Sequence, residues 1–486
     1  MSGTFAKLTI AGADTSTMLL LTDGTVLGQQ REGRDWYLLR PDENGQYEFS
    51  TWEYLNSMTH ARLYYASAVL ADGRVMVMGG EYSTEGDDTN TGEIYDPNHP
   101  EQGWQEVVFM TDQARWKSIG DAPSCVLSDG TLLLGSIDDR RTVLFDPRTG
   151  AWIEGPDKED ESSEETWTLL RDGSVLTVEC SNTPKAERYV PGQGGKLAYW
   201  TSAGQISDLV ETSSKEIGPA ILLPDTQGLV FVIGATGRTA FYALPGPGRP
   251  DTWMAGPSFP LAKDLPPVLG AARPDPQTRI GAKDAPACLL PNGRVLCAVG
   301  PVNGAKGDYL PPTYLFEMDW LTQPPTLSHV GGPIAETAPF QWRMLLLPSG
   351  KVLLSNGTAD LYLYDPDTKA GAPSWGPEII DPKSATVIQN GQPFVLKGKR
   401  LNGMSQAVCY GDDAQMATNY PLVCIKNRTT SHLRYCRTYD HSTMAIATGD
   451  TVVTTKVLPL DLELGASDLF VVANGIHSEP VAVTIV

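Results

Sequence analysis

The sequence predicts an all-β chain, a seven-bladed β-propeller followed by a β-sandwich, on three observations. An apolar run, a turn containing glycine and a second apolar run recur seven times. Each copy is followed by an aromatic strand and, in most copies, a tryptophan. The pattern stops near residue 380 and gives way to short alternating strands.

The clearest hairpin reads Ser67-Ala68-Val69-Leu70, Ala71-Asp72-Gly73-Arg74, Val75-Met76-Val77-Met78. Its flanks are β-formers, and Asp-Gly supplies the positive φ angles of a tight turn. Further copies turn on Gly24, Gly130, Gly173, Gly293 and Gly350, and a looser one on Gly228. The turn glycines fall roughly 43 to 65 residues apart, around the kelch period of about 50. The third strand carries Tyr or Phe, often before Asp-Pro, and the fourth carries Trp: Tyr95 with Trp104, Phe145 with Trp152, Tyr189 with Trp200, Tyr242 with Trp253 and Tyr364 with Trp375. The first blade uses Trp36 to Leu39 and Trp52, and the sixth keeps only Tyr314-Leu315-Phe316. Asp-Pro starts turns and the aromatics pack between neighbouring sheets. Hairpin, aromatic strand and Trp strand make one four-stranded blade, and seven such units fill residues 1–380 as a kelch-type propeller. The charge-rich stretch from Asp157 to Glu165 reads as a mostly solvated loop. Residues 381–486 hold seven short alternating strands, from Pro393-Phe394-Val395-Leu396 to Val481-Ala482-Val483-Thr484-Ile485, which fit an immunoglobulin-like sandwich.

With 48 Gly and 37 Pro in 486 residues, the chain is turn-rich, but these residues punctuate apolar runs and form no low-complexity tract. The net charge of −21 opposes binding to nucleic acid or an anionic membrane surface. No apolar run is long enough to span a bilayer. The start Met1-Ser2-Gly3-Thr4-Phe5 lacks a signal-peptide pattern, so the expectation is a cytoplasmic protein, with secretion left open. Seven cysteines are too few for a disulfide scaffold. Cys125, Cys180, Cys288 and Cys297 read as core thiols, and one disulfide among Cys409, Cys424 and Cys436 stays open.

A kelch-type propeller followed by a small immunoglobulin-like domain resembles the galactose oxidase and glyoxal oxidase group of copper radical oxidases. The resemblance implies copper held by two tyrosines and two histidines, with one tyrosine thioether-linked to a cysteine. Ala61-Arg62-Leu63-Tyr64 resembles the segment bearing the crosslinked tyrosine, which places Tyr64 there. The preceding blade offers Asp14-Thr15-Ser16 where the cysteine should be. The Tyr-His pair of the last blade aligns with Phe340-Gln341, and Gln415 stands where the C-terminal domain's histidine should be. A neutral amide is a poor substitute for imidazole at copper(II), so copper radical chemistry is not expected.

Counting nine residues back from each turn glycine samples the ring at the propeller's mouth: Thr15, Tyr64, Asp121, Glu164, a place near Glu216, Asp284 and Gln341. Four adjacent blades thus aim carboxylates at one axis, and converging like charges raise one another's pKa or demand a cation. Three readings stand. The acids lock the ring through backbone N–H groups, or form an all-oxygen site for Ca²⁺, Mg²⁺ or Mn²⁺, or recognise a cationic or hydroxyl-rich small molecule directly. In the catalytic reading Asp121 and Asp284 contact the cation, while Glu164, Glu216 and Tyr64 perform acid/base work. Gln341, Gln415 and Arg343 then orient a polar small molecule or sugar, and Trp167 and Trp342 stack on it. The function expected is a non-redox lyase, hydrolase or isomerase. The alternative is a binding or assembly module that grips a protein or glycan with its rim loops.

Overall fold

The computed structural model describes residues 3–8, 14–81, 89–109, 115–246, 250–268, 270–303, 308–333, 336–367, 371–411, 413 and 415–486. It is all-β: among the described residues the helical segments are four three-residue 3₁₀ turns. Seven antiparallel sheets form the propeller and an eighth, larger one forms the C-terminal domain.

The repeated hairpin is the innermost pair of each blade, as in Ala66–Val69 with Val75–Met78. Its turn differs from the expected one. The backbone N–H of Gly73 donates to Leu70 and that of Leu70 to Arg74, so three residues form the loop. Gly73 alone adopts positive φ, at 85°, while the Asp72 carboxylate accepts the N–H of Arg74 at 3.1 Å. This is a type I turn followed by a left-handed glycine. The same two devices recur at Asp23-Gly24, Asp129-Gly130, Asp172-Gly173 and Asn292-Gly293.

The outer half of each blade is held by a cross-strand aromatic pair. Tyr95 faces Trp104, Phe145 faces Trp152, Tyr189 faces Trp200 and Tyr242 faces Trp253, with ring centroids 4.8–5.5 Å apart. In the sixth blade a fourth strand does exist, Thr326–Val330, and His329 takes the tryptophan's register opposite Phe316. In the seventh blade the outer strand is not the Trp375 segment, which is a 3₁₀ turn, Pro373–Trp375. The N-terminal strand Thr4–Lys7 fills the place instead, pairing with Leu361–Asp365 and setting Phe5 4.6 Å from Tyr364. The first strand of the chain therefore closes the last blade.

The C-terminal domain is a curled sheet in the order Glu378–Asp381, Phe394–Lys399, Val452–Leu458, Leu433–Tyr439, Leu422–Asn427, Gly465–Ala473, Val481–Ile485, Thr386–Ile388. Its core is its own, built on Leu396, Val423, Ile425, Val457, Leu469 and Val471. The domain sits on the propeller face that carries the hairpin turns. Tyr435 packs on Gly24, Gly475 meets Gly350, and the N–H of Met444 donates to Ser128.

One segment expected to be a sandwich strand belongs to the propeller. Val408–Cys409 pairs with the inner strand of the sixth blade, Ala287 opposite Cys409 and Cys288 opposite Val408. The loop around it runs up the axis. Gln406 accepts the N–H of Leu169 in the fourth blade at 2.9 Å, Thr166 and Cys409 meet at 3.1 Å, and the Tyr410 hydroxyl donates to Phe340 in the seventh at 2.7 Å. Ala407, Val408, Cys409, Tyr410 and Met416 are buried along it, so the loop fills the centre as a plug. All seven cysteines are buried and free, which closes the question left open for Cys409, Cys424 and Cys436.

Candidate functional site

The plug ends at the propeller mouth opposite the turns, where the residues nine before each glycine gather. Three of them, Tyr64, Glu164 and Asp284, hold left-handed backbone at φ 50°, 56° and 36°. Such angles strain residues with a Cβ and collect at sites where a side chain has to be aimed. Carboxylate oxygens of Glu164, Glu216 and Asp284 lie within 4.8 Å of one another. Glu216 is buried and the other two are half-buried, so the group opens toward solvent on one side.

Asp121 stands beside this group, 6% exposed, and its Oδ1 has no hydrogen-bond partner among the described residues. Burial pushes its carboxyl well above the usual range, and the charges of Asp413, Glu164, Asp284 and Glu81 push the same way. Asp413 comes from the plug and is 1% exposed. Sequence counting missed it because it belongs to another domain. The signal available was its place two residues before Gln415, in the loop aligned with the expected ligand loop. Asp412 and Ala414 of that loop lie outside the described residues.

Asp284 groups with Glu164 and Glu216, and its charge also acts on Asp121. Tyr64 faces the same space: burial raises its phenol pKa, Arg343 and Arg31 oppose this, and Asp284 and Asp413 reinforce it. The phenol therefore keeps its proton across the physiological range.

The expected ligand contacts of Trp167, Trp342 and Arg343 are corrected. Trp167 and Trp342 are fully buried and cannot stack on a ligand. Trp167 packs 5.4 Å from Trp200 and donates its indole N–H to Glu165, and Trp342 donates to Thr337 at 3.0 Å. Both rings lie in the hydrophobic core: Trp342 caps the 3₁₀ turn Pro339–Gln341, and Trp167 precedes the strand Thr168–Leu169. Arg343 is also buried: it donates to the carbonyls of Phe340 and Trp342, and its guanidinium lies 3.7 Å above the Tyr410 ring. Gln341 folds back and accepts the N–H of Ala338 at 3.2 Å. Gln415 is buried in the plug. Arg62, next in sequence but one to Tyr64, pairs with Glu93 at 3.1 Å within its own blade.

The histidines lie elsewhere. His60 lies 3.7 Å from Glu106 and His99 3.4 Å from Glu101, His329 packs on Phe316, His432 bonds Glu463, His441 bonds Thr455, and His477 packs on Phe470. A cavity of about 750 Å³ also lies away from the carboxylates, between the turn face and the C-terminal domain, lined by Pro291, Pro373, Arg400, His477 and Glu479 among others.

No family model matches the sequence, and no curated protein matches it. Among solved structures, a fungal alcohol oxidase of the AA5 family, in complex with copper, aligns at 15% identity and TM-score 0.52, over 100% of this chain and 99% of that one. The fold is galactose-oxidase-like. A virginiamycin B lyase from Staphylococcus aureus aligns at 10% identity and TM-score 0.47, over 74% of this chain and 98% of that one. At these identities the likeness is one of fold. No helix among the described residues is long and apolar enough to cross a membrane.

Proposed function

We propose that the axial carboxylates hold a hard divalent cation, Ca²⁺, Mg²⁺ or Mn²⁺, and that the galactose-oxidase-like propeller uses it in non-redox chemistry on a polar small molecule or sugar. The observation that carries this reading is the convergence of Glu164, Glu216 and Asp284 oxygens within 4.8 Å. The buried Oδ1 of Asp121 beside them, without a partner, supports it independently. Like charges brought so close need a counter-charge, and all-oxygen donor sets suit hard cations. The same donors do not fit the copper centre that the resemblance implies. Carboxylates and the phenols of Tyr64 and Tyr410 are present, the carboxylate group includes no imidazole among the described residues, and Tyr64 has no cysteine in the preceding blade.

A bound cation would polarise an oxygen of the substrate. Glu164, Glu216 and Asp284 would hold it. Asp121, whose carboxyl burial and the neighbouring charges push above its usual range, stands beside them and would contact the cation or the substrate oxygen. Tyr64 donates a hydrogen bond to the same substrate. The arrangement suits elimination, hydrolysis or isomerisation.

Calorimetric titration with each cation, on wild type, Asp284→Asn and Glu164→Gln, tests the reading. Each variant is expected to lose about one equivalent of cation per chain. Undiminished binding in both would overturn it. If both lose the cation while binding to a glycan or protein partner persists, the propeller is a recognition module.

A further inference from the structure

Across the mouth from the carboxylates stands a cation, Arg31, that lies outside the nine-residue spacing. The blades close in sequence order, and the inner strand of the first, Thr15–Leu20, packs between those of the second, Ala66–Val69, and the seventh, Arg343–Leu346. Thr15 and Gln30 pair at its mouth end, and the N–H of Arg31 donates to the Asp14 carbonyl at 2.7 Å. Arg31 therefore leaves the sheet beside Thr15, between the ring positions of Tyr64 and Gln341. Asp121, Glu164, Glu216 and Asp284 come from the third to sixth blades, on the other side of the ring.

The Arg31 guanidinium crosses to the seventh blade. A Cβ on Gly357, whose φ is 74°, would come 2.8 Å from the Cβ of Gln341 and 3.2 Å from Arg31 Nη1, so this glycine leaves the space in which the two side chains meet. The Arg31 side chain is 16% exposed, and its ion-pair partner among the described residues is Glu32, 3.5 Å from Nε and itself 64% exposed. Asp14 feels the same charge, yet its Oδ1 has no hydrogen-bond partner among the described residues. A guanidinium presents five donors in a planar fork that matches a carboxylate, and this one is mostly withdrawn from water without such a forked pair. Tyr64 senses both sides of the mouth: Arg343 and Arg31 pull its phenol pKa down while Asp284 and Asp413 push it up. The two signs of charge thus act across a distance that one small molecule can bridge.

We infer that Arg31 sets the substrate class of the mouth, taking the carboxylate of a sugar acid whose hydroxyl end lies toward Glu164, Glu216 and Asp284. The inference rests on the axial mouth being the working site. It supplies what the acidic side alone does not, a reason for an anionic ligand to enter a chain of net charge −21. A substrate with a carboxylate at one end and hydroxyl groups at the other meets a donor fork on the first blade and oxygen donors or their cation on the fourth to sixth.

Calorimetric titration of the whole protein with D-glucuronate and with D-glucose, in EDTA and again with the divalent cation, tests the inference on wild type, Arg31→Gln and Arg31→Lys. Wild type is expected to bind the acid at least about tenfold more tightly than the neutral sugar, the range of a hydrogen bond to a charged group. Arg31→Gln is expected to lose that preference, and Arg31→Lys, which keeps the charge without the planar fork, to retain part of it. Arg31→Gln is expected to keep its equivalent of cation, whereas Asp284→Asn loses the cation and still prefers the acid in EDTA. Failure of the cation site and failure of the arginine's role are therefore read separately. Absence of glucuronate binding, equal affinity of wild type for the two sugars, or an undiminished preference in Arg31→Gln would overturn the inference.

Discussion

The guanidinium of Arg343, in the seventh blade, lies 3.7 Å above the ring of Tyr410, which the C-terminal domain sends up the propeller axis. Both side chains are buried, and the Tyr410 hydroxyl donates to Phe340, three residues before Arg343. A desolvated cation over an aromatic face contributes about 2 kcal/mol, and lysine does not reproduce the planar stack. Arg343→Lys is expected to lower unfolding stability by about that amount, measured by urea denaturation. Tyr410→Phe keeps the stack and is expected to lose only about 1 kcal/mol, the hydroxyl's bond.

Lys158 and Glu165, in the charge-rich stretch expected to be solvated, are both buried and form an ion pair of 2.5 Å, which predicts a non-additive result. Lys158→Met leaves Glu165 as an unanswered buried charge and is expected to cost about 3–5 kcal/mol. Adding Glu165→Leu is expected to recover most of that loss. A double variant as unstable as the sum of the singles would mean that the two side chains act independently.

His441 predicts an acid-side slope. Burial holds its pKa down to about 4, against an ordinary 6.5, with Asp440 opposing. Between these values the unfolded chain binds a proton that the folded one excludes, so stability is full above pH 6.5 and falls as pH drops toward 4. The contribution is up to about 1.4 kcal/mol per pH unit. His441→Gln is expected to flatten the urea midpoint against pH across this window by that share, and an unchanged slope would assign it to other groups.

His329 occupies the register that tryptophan holds in neighbouring blades, 5.4 Å from Phe316. His329→Trp is expected to raise stability by about 1 kcal/mol through the larger cross-strand aromatic pair. Thermal unfolding checks it.

The propeller was legible because its signals are local and repeated. A glycine needed in left-handed conformation and an aromatic partner one strand later recur in each unit, so seven weak signals reinforce one another. The ring closure was not legible. Thr4–Lys7 is short, and its partner Leu361–Asp365 lies more than three hundred residues away with nothing in the sequence to link them. At the candidate site, counting from the turns found Tyr64, Asp121, Glu164, Glu216 and Asp284, because equivalent positions in a repeat share an orientation. It failed for Trp167 and Trp342, since nearness in sequence to a site residue does not bring a side chain to the mouth, and both rings are buried in the core. It missed Asp413 for a different reason: that residue reaches the mouth from the C-terminal domain, outside the repeat that the counting follows.

The strand that closes the seventh blade and the plug that fills the axis have a joint consequence for how the chain comes to be folded. During synthesis the first six blades can form while residues 3–8 wait without a neighbour to pair with. The acidic mouth is completed only after residue 413 has emerged, when the C-terminal domain threads its loop along the axis. Until then the mouth lacks Asp413, and the innermost strand of the sixth blade has an open edge where Val408–Cys409 will lie. An open inner edge invites pairing with other chains. A ribosome that stalls between the sixth blade and the plug would release a ring with two unsealed seams, and such truncated chains are the form of this protein in which aggregation should first be sought.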